Sequence, residues 1–231
     1  MKLKIKGLQV SCDGGAATGK STGAKLIAKK YKLRFLSSGL LYRYASFLII
    51  KNKPKNKISF LKKKFKNLDY KKISYIDLQK PIISEQAATI AKIKSVRSIL
   101  KNYQTKFIKN NKGCVLEGRD ASTKILPNSD LKFFFVCKLN IAAKRRYKEL
   151  KKKQKKTNFK EVKKALFKRN MLDTKRKISP LQKHPDAVVV DTGKLDIKSM
   201  VAKMSKLVDQ IIKSKYEKRT IKRLIASSKR V

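Results

Sequence analysis

Gly14-Gly15-Ala16-Ala17-Thr18-Gly19-Lys20-Ser21 is the stretch whose reading decides the fold. It fits the pattern G-x-x-x-x-G-K-[ST]. A Leu/Ile/Val-rich run, Leu3 to Cys12, comes before it and reads as a strand. After Lys20 the spacing of Ala24, Leu26, Ile27, Ala28 and Tyr31 reads as a helix. Strand, glycine turn and helix together make a phosphate loop. Glycines let backbone N–H groups approach phosphate oxygens, and the helix N-terminus adds a favourable dipole. The nucleotide-phosphate contacts are therefore expected from Gly14, Gly15, Ala16, Ala17, Thr18, Gly19, Lys20, Ser21 and Thr22. Lys20 would reach the terminal phosphates, Ser21 would bind Mg²⁺ and Thr22 would bear on the next phosphate. The pattern speaks for a nucleoside triphosphate and is silent on the phosphoryl acceptor.

Outward from the loop, Leu33–Leu36 reads as a short strand and Leu40–Ile50 as a helix. Lys51–Lys80 is Lys- and Asn-rich and reads as a partly irregular insert. Ser84–Asn110 reads as one long helix with Ser84 as its N-cap. Gly113–Glu117, Leu131–Leu139 and Ala187–Val190 read as strands. Asn140–Lys153, Lys160–Lys177 and Leu195–Lys213 read as helices, and Tyr216–Val231 as a basic tail. Strands alternating with helices predict an α/β fold around a mainly parallel five-stranded sheet, in three layers.

With 231 residues and 41% hydrophobic composition, the chain has the material for one sizeable core. No apolar run is long enough to span a membrane. Residues 1–15 lack the long apolar region of a signal peptide, so the cytoplasm is the expected compartment. Cys12, Cys114 and Cys137 are odd in number and unclustered, so reduced thiols are expected rather than a disulfide or zinc site. The net charge of +47 comes from 62 Lys and Arg against 15 Asp and Glu. Lysines are spread along the whole chain, which reads as a solvated basic surface. Such a field still attracts anionic substrates and, at low salt, polyanions without specificity. The tail, with Lys218, Arg219, Lys222, Arg223, Lys229 and Arg230, is the candidate RNA-binding arm. His184, the only histidine, reads as a surface residue before Pro185.

Only eleven of the 62 basic residues are arginines, so their placement is informative. Arg43 follows the second strand, Arg97 lies on the long helix, and Arg119-Asp120 follows the third strand. Arg145 and Arg146 follow the fourth. Arg169, Asp173 and Arg176 are spaced four and three apart and share a helix face. Guanidinium groups gathered near a phosphate loop suit bidentate phosphate binding and charge compensation during phosphoryl transfer.

Several separate blocks resemble the bacterial cytidylate kinase family, from about Leu8 to Lys213. They are DGGAATGKST (Asp13–Thr22), SSGLLYR (Ser37–Arg43), EGRDASTKILP (Glu117–Pro127), RNMLDTKRKISPL (Arg169–Leu181) and HPDAVVVDT (His184–Thr192). The resemblance implies a phosphate-loop kinase domain over 1–214, with a nucleoside-monophosphate insert at about 40–110 and a short helical lid at about 145–180. Residues 215–231 extend past the family's usual end. It implies transfer of the γ-phosphoryl group of ATP to CMP or dCMP with Mg²⁺, by a monomer that engages no membrane. Ser38, Tyr42, Arg97, Arg119, Asp120, Asp173 and Arg176 would bind the acceptor. Lys20, Arg145, Arg146 and Arg169 would be the catalytic cations, and Asp13 would sit near the hydrated Mg²⁺ held by Ser21. There are departures from the family pattern. Gly15 replaces a Pro, Ala17 a Gly or Ser, Ser122 a Gly and Asn170 an Asp. Ala88 stands where the family has a Ser that contacts cytosine, with Thr89 as the neighbouring hydroxyl. An expectation of a different class is a basic RNA- or ribosome-associated protein that keeps the loop without turnover.

Overall fold

The computed structural model describes residues 7–73, 75–153 and 157–228, with side chains to residue 215. Its five strands are β1 (Gln9–Gly14), β2 (Arg34–Ser37), β3 (Cys114–Gly118), β4 (Leu131–Val136) and β5 (Val188–Asp191). All four strand pairings are parallel, in the order β2-β3-β1-β4-β5. The sheet is therefore wholly parallel rather than mainly so. β1 lies at its centre, flanked by β3 and β4, whose chains lead to opposite edges. That arrangement opens a crevice at the carboxyl ends of these strands.

Alternation along the strands divides the core. Val10, Cys12, Val115, Phe133 and Phe135 are buried on one face. There they pack against Ala24, Ile27 and Ala28 of α1 (Lys20–Lys30) and Met200, Met204 and Val208 of α9 (Ile197–Ser228). Leu36, Cys114 and Leu116 bury on the other face, under α2 (Ser38–Asn52) and the insert. The insert is more ordered than its composition suggests. Asn56 caps α3 (Lys57–Lys66) by accepting from the N–H groups of Ile58 and Ser59, and Leu61 and Phe65 face the core. A short α4 (Tyr70–Ile73) follows.

The expected long helix over 84–110 is two helices, α5 (Pro81–Ile90) and α6 (Lys94–Asn110). Pro81 opens α5, so Ser84 lies inside the helix and is not its cap. Between the two, the Ala91 carbonyl accepts from the Arg97 guanidinium at 3.2 Å. A side chain there replaces a helical N–H, and Ala87 and Ala91 line one cleft while Arg97 reaches Asp120 behind it. The helices α7 (Leu139–Lys153) and α8 (Phe159–Lys175), where the lid is expected, share a small core of Ala143, Val162 and Leu166 with Ala16 of the phosphate loop. The closing helix does not stop near Lys213. It runs on to Ser228, through most of the predicted tail, while Lys229 and Arg230 lie outside the described residues. None of the described helices is long and apolar enough to cross a membrane.

Candidate active site

The loop Gly14–Gly19 joins β1 to α1 and shapes itself around small residues. A β-carbon on Gly14 would lie 2.5 Å from the Phe135 carbonyl oxygen. Gly19 has φ 82°, and Ala17 takes φ 57°, a left-handed conformation that costs an L-residue about 1–2 kcal/mol. The Thr18 hydroxyl and the Lys20 ammonium both donate to the Gly15 carbonyl, at 3.0 and 3.1 Å. Lys20 also pairs with Glu117 at the end of β3, 3.3 Å away. Burial, reinforced by Arg119, pushes Lys20 down to about 8. Glu117 is held below the usual carboxylate range because Lys20 and the Ser37 hydroxyl, donating at 2.5 Å, outweigh its burial.

The loop is tied from two further sides. Thr192, just past β5, donates its hydroxyl to the Thr18 carbonyl at 2.7 Å. Arg145 in turn grips Thr192, donating to its hydroxyl at 2.9 Å and its carbonyl at 2.6 Å. From α8, Asn170 accepts the Ala16 N–H at 2.9 Å and strings the lid onto the loop. Ser21 and Thr22 are exposed at the opening of α1.

Asp13 has another set of partners. It is fully buried, and its carboxylate accepts from the N–H groups of Ala121 and Ser122 at 2.8 and 2.7 Å. The Ser122 hydroxyl donates to it at 2.6 Å. These three donors hold the π-helical turn Ala121–Ile125, and with it the placement of Arg119 and Asp120. Burial raises Asp13 above its ordinary value despite those donors. Ser122, a departure from the family pattern, thus supplies one of the bonds that fix the turn.

Beside the loop lies an open cleft. Ser38, Tyr42 and Gly118–Asp120 form its floor, Ala87, Ala88 and Ala91 one wall, and Arg169, Asp173 and Arg176 the lid side. Its guanidiniums other than Arg169 lie near carboxylates, though Arg176 Nη2 makes no hydrogen bond among the described residues. Arg97 pairs with Asp120, and Arg119 with Asp173 at 2.8 Å. Arg176 lies 3.8 Å from Asp120 and 3.7 Å from Asp173. Ser38 hydrogen bonds to Gln104. Tyr42 lies against the Arg97 guanidinium, 5.7 Å from carbon to ring centre, and burial pushes its phenol up to about 12. Burial lowers Arg176 despite its two carboxylates. Arg169 and Asp173 lie on the cleft side of α8, whereas Arg176 sits just past its end in extended backbone and lines the same cleft from there.

Next to this matched set is a cationic group with few anions. Arg43 and Arg146 both donate to the Gln79 side-chain oxygen, at 3.0 and 3.1 Å. Arg169 is half-buried, and its buried Nε has no hydrogen-bond partner among the described residues. Burial, then Arg119 and Arg43, push Arg169 down to about 9, and it stays protonated at neutral pH.

Of the residues expected to bind the acceptor, Ser38, Tyr42, Arg119, Asp120, Asp173 and Arg176 line the cleft together with Arg169, and Arg97 stands behind Asp120. Lys20 is held at Glu117, Arg146 at Gln79 and Arg145 on Thr192. Thr89 does not join them. It is exposed, and its hydroxyl donates to Glu85 of its own helix at 3.3 Å. His184 hydrogen bonds to the Asp186 N–H within its own turn. Composition and spacing missed Glu117, Gln79, Gln104 and Asn170 as partners of the site. Glu117 had a readable signal, as an acid ending a strand beside the phosphate loop. The glutamines had none, since their contacts cross 36 to 67 residues of chain.

Comparison with known proteins adds a family and a fold. A family model described as cytidylate kinase matches residues 10–210. The cytidylate kinase of Clostridium tetani is 36% identical over 219 residues, covering 89% of this chain and 96% of that protein. Those of Bartonella tribocorum and Mesomycoplasma hyopneumoniae are 35% and 34% identical, covering 90% and 89% of this chain and 98% and 95% of their own. Among solved structures, an uncharacterized protein from Eubacterium ventriosum superimposes with a TM-score of 0.53 at 14% identity. It covers 87% of this chain and 98% of its own, and shares the fold.

Proposed function

The chain belongs to the cytidylate kinase family, and on that premise we propose that it transfers the γ-phosphoryl group of ATP to CMP or dCMP, yielding CDP or dCDP and ADP. The observation that carries this is the meeting of two environments. A cleft with carboxylate-matched arginines opens onto a phosphate loop surrounded by under-matched ones. The first suits a neutral base and sugar, the second a polyphosphate.

The loop backbone and Lys20 bind the donor phosphates. Ser38, Tyr42, Arg97, Arg119, Asp120, Asp173 and Arg176 bind the nucleoside monophosphate. Arg146 and Arg169 spread compensating charge over the phosphoryl group in transit, while Arg145 holds the loop through Thr192. No general base is needed, because positioning and charge stabilisation supply most of the rate. The lid, already joined to the loop through Asn170, closes over both nucleotides and keeps water from the phosphate.

The donor set fits a Mg²⁺ that takes most of its oxygens from nucleotide phosphates and water. Ser21 offers an exposed hydroxyl, and no group of three potential metal ligands occurs among the described residues. Asp13 would act on the hydrated ion at a distance, its carboxylate being engaged by three donors. When bound, the ion neutralises charge on the β- and γ-phosphates.

The test is ADP release from ATP·Mg²⁺ with CMP, dCMP, UMP, AMP and dTMP offered separately. Turnover should be well above the rest with CMP or dCMP and vanish in Lys20→Ala that still folds. Turnover mainly with UMP or AMP would move the acceptor and point first to the Ala87–Ala91 wall. No turnover from folded protein that binds ATP would sink the proposal.

A further inference from the structure

We propose that Gln79 is a positioning residue, whose side-chain oxygen converges Arg43 and Arg146 on the place where a phosphate oxygen is received. The proposal rests on the phosphoryl-transfer reading above. Three elements meet on this one amide. Gln79 lies between α4 and α5 in the insert, Arg43 on α2 and Arg146 on α7 of the lid. Its Oε1 accepts from Nη1 of both arginines, at 3.0 and 3.1 Å. Nη2 of Arg146 also donates to the Gln79 backbone carbonyl, at 3.4 Å.

The chemistry of the acceptor matters as much as its place. A carbonyl oxygen has two lone pairs and receives two N–H groups, as a phosphate oxygen does. It is also neutral, so it aligns two cations without cancelling their charge. A carboxylate at the same point would form charge-assisted pairs with both and compete with substrate. The surroundings do little to cancel the charge. Among the described residues, Arg43 has no carboxylate within 4 Å, and Arg146 has Glu149 at 2.9 Å on the half-exposed side. Burial, then Arg146 and Arg119, push Arg43 down to about 10. Two half-buried guanidiniums sharing one neutral acceptor remain attractive to an anion. Because the acceptor comes from the insert and one donor from the lid, movement of either changes how the arginines are presented.

Two substitutions separate this role from simple packing. Gln79→Met keeps the length and removes the acceptor; Gln79→Glu keeps the shape and adds charge. The first readout is the affinity of the full chain for inorganic tripolyphosphate by titration calorimetry, which needs no acceptor nucleotide. Gln79→Met should bind within about threefold of the parent, whereas Gln79→Glu should bind about 30-fold more weakly, as loss of a charge-assisted contact implies. In the kinase assay Gln79→Met should lose kcat about tenfold with KM for ATP little changed, the mark of an interaction made in the transition state. Thermal melting should put Gln79→Glu at or above the parent. Equal tripolyphosphate affinity in the two variants would overturn the proposal and leave Gln79 as packing. A parent that binds tripolyphosphate but does not phosphorylate CMP would overturn only the acceptor assignment, since the contrast between the variants would still be read.

Discussion

The two halves of the cleft use the same side chain in opposite ways. On the acceptor side, Arg97, Arg119 and Arg176 each lie within ion-pair distance of Asp120 or Asp173. On the transfer side, Arg43 and Arg146 share a neutral glutamine oxygen, and the Arg169 Nε has no partner among the described residues. A matched guanidinium is fixed in direction and has little charge left to offer, which suits recognition of a neutral base and sugar. An under-matched one keeps its field at a cost to folding, which suits a charge that arrives with substrate. Stability and rate should therefore separate between the halves.

Arg169→Ala gives the largest effect and tests the separation most directly. We expect kcat to fall about 10³-fold, in the range for a cation that stabilises transferring phosphoryl charge. The melting temperature should hold or rise, because a buried donor without a partner costs about 1–3 kcal/mol. A large loss of stability would put Arg169 in the matched class and break the comparison.

Asp173→Ala is its mirror. Arg119 and Arg176 would lose a buried partner, so stability should drop by about 3–5 kcal/mol in denaturant unfolding. KM for CMP should rise about 10- to 100-fold, with kcat less affected. If kcat fell as far as in Arg169→Ala, the division of labour would be wrong.

The next effect is on pH. Lys20 is charged below about 8 and loses its proton above it. In the free protein kcat/KM for ATP should therefore fall up to tenfold per pH unit above about 8. kcat should persist to higher pH, because bound phosphates favour the charged amine. The stability sign follows from the same displacement. Between about 8 and the ordinary 10.5, the unfolded chain binds the proton and the folded chain does not, so this group's contribution to stability rises with pH. A flat kcat/KM to pH 9.5 would show that Glu117 holds the charge more firmly.

Thr192→Val is the smallest change. It removes the donor to Thr18 and one acceptor of Arg145. A loss of about 1–2 kcal/mol and a few-fold rise in KM for ATP are expected, read by melting and steady-state kinetics. No change in either would mean that the Arg145 bond to the Thr192 backbone suffices.

Much of this was legible before any coordinates. Gly14–Ser21 and its flanking periodicities locate β1, the loop and α1, because those signals are local. The i, i+4 spacing of Arg169 and Asp173 places them on one face of α8 for the same reason, while Arg176 falls just past the helix end. The expectation of one long helix over 84–110 fails because no local signal marks the break. Its cause is Arg97 reaching back to the Ala91 carbonyl, with its second bond going to Asp120 on another element. The partners of Asp13 have no local signal either, since its carboxylate accepts from backbone donors 108 and 109 residues away.

By itself the sequence determined the succession of the five strands along the chain, the phosphate loop, and which arginines are scarce enough to matter. All of these rest on interactions within a few residues, where backbone geometry dictates the spacing. Only the tertiary structure decided which guanidiniums are neutralised and which are left with a field. That depends on whether a carboxylate, an amide or nothing faces each one in a buried space, and the partners come from distant parts of the chain. Charge in water is nearly blind to such pairing. Charge in a cleft is governed by it.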